Sequence, residues 1–79
     1  MKVLVVDDED LIRNIIKEYC NHEGYDVVEA TNGYEAIEKV EDEDVNIIIL
    51  DLMMPKLDGF SAYEQIKKIK NIPTIILSA

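Results

Sequence analysis

Two short, uninterrupted apolar runs, Val3-Leu4-Val5-Val6 and Ile47-Ile48-Ile49-Leu50, constrain this chain more than any other feature. A strand with one wet face alternates apolar and polar residues. Runs of this kind must instead be covered on both faces, as in the middle of a parallel sheet. Each run breaks into acid, with Asp7-Asp8 following the first and Asp51 the second. If the runs pair as neighbouring parallel strands, three carboxylates emerge at one carboxyl edge, where open α/β sheets place their ligands. Three anions gathered there call for a cation.

Strands are expected near residues 2–6, 26–30, 46–51 and 73–77, with amphipathic stretches between them. In the first such stretch Leu11, Ile12, Ile15, Ile16 and Tyr19 recur at helical spacing, and Gly24 suits a left-handed C-cap, so a helix spans roughly 10–23. Asn32 with Glu35 three residues on reads as the start of a second helix. Ala36, Ile37 and Val40 form its buried stripe, and it fades among Glu41, Asp42, Glu43 and Asp44. A third helix starts at the N-cap Asp58, buries some of Phe60, Tyr63, Ile66 and Ile69, and stops before Asn71 and Pro73. Asp26 and Glu29 mark the second strand as an edge. The arrangement that satisfies these demands is a doubly wound parallel sheet of order 2-1-3-4. Right-handed crossovers put the first helix on one face and the other two on the opposite face. One face then carries a single helix over four strands, and the ending on Leu77-Ser78-Ala79 is expected to leave a covering helix out.

Composition narrows the function classes. With 79 residues, 48% of them apolar, the chain is expected to be one soluble domain. Only 8 Lys and Arg stand against 17 Asp and Glu, and this balance disfavours nucleic acid as a direct partner. The single Cys20 cannot form an internal disulfide, and no apolar segment is long enough for a signal peptide or membrane span, so a cytoplasmic setting and no membrane partner are expected.

Several residues have simpler uses. Taken alone, Asp7-Asp8 would serve as well as helix caps; with Asp51 at a matching strand end, the cation site is the better reading. Asp58-Gly59 and Pro55 shape a loop, and the side chains of Met53 and Met54 are expected to pack. His22 complements a helix dipole. Cys20 is a small buried apolar residue. The run from Glu41 to Asp44 lacks the ligand spacing and glycine of a calcium loop.

The acidic pair Asp7-Asp8, Asp51, the Met54-Pro55 and Asp58-Gly59 steps and the closing Ser78-Ala79 follow one another in an order that resembles the receiver domain of two-component response regulators. The resemblance covers residues 1–79 as a single domain. It implies a flavodoxin-like fold in which Asp51 accepts a phosphoryl group from a sensor histidine kinase. It further implies Mg²⁺ held by Asp8, Asp51 and the backbone carbonyl of Met53, with Asp7 acting largely through water. Ser78 would be the hydroxyl that contacts the phosphoryl group. An output domain would follow in the intact protein, and the receiver would not be a turnover enzyme. The family's fourth helix, its fifth strand with a Lys and an aromatic switch residue, and its fifth helix would lie beyond residue 79.

Two rivals come from other classes. An aspartate-nucleophile phosphatase wants a second acid two residues after the nucleophile, where this chain has Met53. The other rival is a structural βα fragment that self-associates through its uncovered face and carries a vestigial site.

Overall fold

In the computed structural model, which describes residues 1–77, the two apolar runs form the central strands of a four-stranded sheet. Strands β1 (Lys2–Val6), β2 (Asp26–Ala30), β3 (Ile47–Asp51) and β4 (Thr74–Leu77) alternate with helices α1 (Asp10–His22), α2 (Gly33–Asp42) and α3 (Gly59–Ile69). The sheet order is β2-β1-β3-β4, as expected, and every pairing is parallel. Val6 stands beside Leu50 in register, so the two strands open into their acidic residues at the same level.

Residue parity divides the core. Leu4, Val6, Ile48 and Leu50 face α2 and α3, where Ala36, Val40 and Ile66 close the larger cluster. Val3, Val5, Ile47 and Ile49 face α1 and meet Cys20 and Ile16. The split places helices on the two faces as the right-handed crossover rule requires.

The helix ends follow the local chemistry. The Asn32 side chain accepts the Glu35 N–H at 3.0 Å, capping α2. Glu35 accepts the Thr31 N–H rather than the backbone N–H of its cap residue, closing a box shifted by one position. Asp58 accepts the Ser61 N–H at 2.8 Å and caps α3. Gly24 takes a φ of 82° past the end of α1, the left-handed conformation that favours glycine.

The buried lines of α1 and α3 are narrower than their helical spacing implies, and in α3 Ile66 with half-buried Tyr63 are the expected residues that pack. In α1, Leu11, Ile15 and Tyr19 are exposed, and the buried line runs instead through Arg13 and Cys20, with Ile12 and Ile16 half-buried. Leu11, Ile15 and Tyr19 lie on the side of α1 turned away from β1 and β2, the strands it packs against. In α3, Phe60 and Ile69 are exposed, while Ala62 and Ile66 make the contact. The small Ala62 lets the helix lie close to its neighbours.

Candidate acidic cation site

Asp7 and Asp8 occupy the turn between β1 and α1, and Asp51 is the last residue of β3. Oxygens of all three carboxylates lie within 4.8 Å of one another. Ligands on opposite sides of one octahedral Mg²⁺ lie about 4.2 Å apart, so oxygens within 4.8 Å of one another are close to the spacing that one such ion needs. The donors are hard oxygens, the type Mg²⁺ prefers.

The Asp7 and Asp51 carboxylates are aimed by the backbone two residues on. Asp7 donates its N–H to the Ala30 carbonyl at 3.1 Å, and its Oδ1 accepts the Glu9 N–H at 2.9 Å. Asp51 Oδ1 accepts the Met53 N–H at 3.0 Å. In both residues one oxygen is occupied by the turn and the other remains for a ligand. Asp7 is buried, Asp51 half-buried and Asp8 exposed. Burial pushes the Asp7 carboxyl above the ordinary range; the Asp51 and Asp8 charges add to this, and the Glu9 N–H opposes it. A cation would relieve both causes. The Asp7 and Asp51 carboxylates open into a cleft of about 410 Å³ that Glu9, Met53 and Leu77 also line.

Two close approaches hold the loop between β3 and α3. Gly33 N–H donates to the Leu57 carbonyl and Gly59 N–H to the Leu52 carbonyl, each at 3.1 Å. Between these clasps Lys56 adopts a φ of 65°, an unusual conformation for a residue with a side chain. Met54 packs on the core as expected, but the Met53 side chain is 74% exposed, because its residue faces the open cleft instead of a helix. Ser78 lies outside the described residues.

Arg13 was not singled out from the sequence. It is buried, and its guanidinium donates to the Asp7 backbone carbonyl at 2.8 Å, to Glu29 at 3.2 Å and to Asp10. Burial alone would lower its pKa, yet the bonds to Asp10 and Glu29 more than offset this, so the group stays charged. A cation set within the apolar periodicity of α1, one turn after the acidic pair, was the available signal.

The family model for the response regulator receiver domain matches residues 3–79. The Streptococcus pneumoniae protein "Response regulator RR06" is 43% identical over 79 residues, which is 100% of this chain and 36% of that relative. The chain thus spans about a third of the length of such curated relatives. Among solved structures, the Thermotoga maritima response regulator TrrA in complex with Mg²⁺-BeF is 40% identical with a TM-score of 0.83, covering 87% of this chain and 60% of that one. A chain in the complex of histidine kinase ThkA with TrrA is 39% identical with a TM-score of 0.90, covering 99% and 68%.

Proposed function

Because this chain belongs to the response regulator receiver domain family, we propose that it takes a phosphoryl group from a sensor histidine kinase onto Asp51. The observation that carries this reading is the convergence of the Asp7, Asp8 and Asp51 oxygens within 4.8 Å at the carboxyl edge of the sheet. Asp8, Asp51 and the Met53 carbonyl would hold Mg²⁺, with Asp7 acting through water. When bound, the ion would neutralise charge shared between the acceptor and the incoming phosphoryl oxygens.

A carboxylate oxygen of Asp51 forms the new O–P bond as the P–N bond of a phosphohistidine breaks, and the electron pair stays on the imidazole nitrogen. The Met53 N–H holds the other oxygen and fixes the orientation of the nucleophile. Asp7, already engaged by Glu9, keeps the negative field that attracts the ion. Ser78 would supply a hydrogen bond to the transferred group. The domain modifies itself once and is not a turnover enzyme. An output domain in the intact protein would read the change. A cytoplasmic setting belongs to this reading; among the described residues no helix is long and apolar enough to cross a membrane.

Labelling tests this directly. With acetyl phosphate and Mg²⁺ the parent chain is expected to gain one phosphoryl group by intact mass, while Asp51→Asn or excess EDTA abolishes the gain. An unlabelled parent, or a labelled Asn variant, would overturn the assignment.

Exposed apolar residues also favour self-association of this chain. Ile75 and Ile76 point to opposite faces of edge strand β4 and remain 51% and 43% exposed. An open strand edge with apolar faces invites pairing with a second copy. Light scattering is expected to show a mass that rises with concentration in the micromolar range; a constant monomer mass would refute this.

A further inference from the structure

We infer that Arg13 is a positioning residue for the cation site, holding the turn that carries Asp7 and Asp8 at its working distance from Asp51. This rests on the Mg²⁺ reading above but adds a residue that would not itself touch the ion.

The bonds of Arg13 reach three separate pieces of chain. Its Nη1 donates to the Asp7 backbone carbonyl in a buried setting, its Nε donates to Glu29 on β2, and its Nη2 donates to Asp10 at the start of α1. The Asp7 N–H is meanwhile tied to Ala30, also on β2. The peptide units on both sides of Asp7 are therefore referenced to the same edge strand, one directly and one through the guanidinium. This matters because the Glu9 side chain makes no capping bond at the start of α1, which leaves the Asp7 side chain's bond to the Glu9 N–H as the tie within the turn itself. Lys17 also reaches Glu29, at 3.3 Å, which keeps that carboxylate partnered and in place.

Charge alone would argue the other way, since a cation near a cation site repels it. Here Asp10 and Glu29 both pair with the guanidinium, so the group adds no net positive charge as seen from the cleft. What remains is geometry. Without Arg13 the buried Asp7 carbonyl loses its donor, and the turn must move to rehydrate it. Outer-shell partners that orient metal ligands typically carry about 10–100-fold in affinity. A lysine keeps the charge but not the fork that meets three acceptors at once.

Mg²⁺ titration by calorimetry, with urea melts of the metal-free proteins alongside, separates the possibilities. Arg13→Gln is expected to weaken Mg²⁺ at least about tenfold, and Arg13→Lys to fall between it and the parent. Cys20→Ala, buried on the same helix, is expected to lower stability and leave Mg²⁺ affinity within twofold. The inference fails if Arg13→Gln binds within twofold of the parent or more tightly, or if Cys20→Ala weakens binding as much. Should Arg13→Gln not fold, Arg13→Lys decides by the same twofold criterion. If the parent itself binds no Mg²⁺, the underlying site assignment fails instead, and the two failures remain distinct.

Discussion

Gly59→Ala is expected to cost the fold about 3 kcal/mol, the upper part of the range for overpacking, and to weaken cation binding at Asp51 as well. Residue 59 is buried at the first position of α3, where alanine would ordinarily favour the helix by up to about 1 kcal/mol. The tertiary contact reverses that sign. A Cβ there would sit 2.8 Å from the Leu52 Cα and 2.9 Å from the Asp51 carbonyl carbon, and would overlap the Asp51 carbonyl oxygen. All three are backbone atoms, so no side chain can swing aside. Relief requires α3 to retreat or the end of β3 to shift, which stretches the 3.1 Å bond from Gly59 to Leu52. A domain this small has a total stability of about 5–15 kcal/mol, so the loss is a large share. Urea unfolding measures it, and a midpoint equal to or above the parent's would contradict the close approach.

Asp7→Asn is expected to act in opposite directions with and without Mg²⁺. The folded-state pKa of Asp7 lies above its ordinary value of 3.8, mainly through burial and then through the charges of Asp51 and Asp8. In the window above 3.8 the folded chain therefore holds a proton that the unfolded chain has released. Stability falls as pH rises through that window, and at neutral pH the ionised carboxylate is a net cost. Asparagine removes the cost and still offers an oxygen to the Glu9 N–H. In EDTA at pH 7 the variant should melt above the parent, and the gap should close on acidification.

Asp58 and Glu35 run the other way. Hydrogen bonds from Ser61 and Thr31 hold their pKa values down, so their contributions fade as pH falls. Both chains share these, and only the difference between variant and parent isolates Asp7. Saturating Mg²⁺, at about 100 times the dissociation constant, stabilises a folded binder by about 2.7 kcal/mol. The parent should show such a gain and Asp7→Asn much less of it. Equal Mg²⁺ shifts in the two proteins, or a variant less stable than the parent in EDTA, would show that Asp7 is not part of the charged cluster.

Much of this molecule is written in local patterns that survive without tertiary context. Continuous apolar runs ending in acid marked β1 and β3 and the edge where Asp7, Asp8 and Asp51 meet. Asp26 and Glu29 marked β2 as an edge strand. Asn32, Asp58 and Gly24 marked helix ends, because a cap is a bond between neighbours in the chain. These signals depend on periodicities of two or 3.6 residues and on hydrogen bonds spanning three or four positions.

Other features depended on what the fold brings opposite a residue. The helical spacing of Leu11, Ile15 and Tyr19 correctly indicated a helix, but which side of α1 meets β1 and β2 decided that these side chains stay exposed while Cys20 is buried. Met53 had the composition of a core residue and ended beside the cleft. Arg13 drew no reading from the sequence, because its partner Glu29 lies on a strand 16 residues away. Gly59 looked like a turn glycine, whereas its need for a missing Cβ comes from the approach of the β3 backbone. Sequence alone determined the strands, the caps and the acidic edge, because their causes lie within a few residues of chain. Burial, close approach and the fork of Arg13 were decided by the tertiary structure, because each requires a surface that exists only after distant segments have packed.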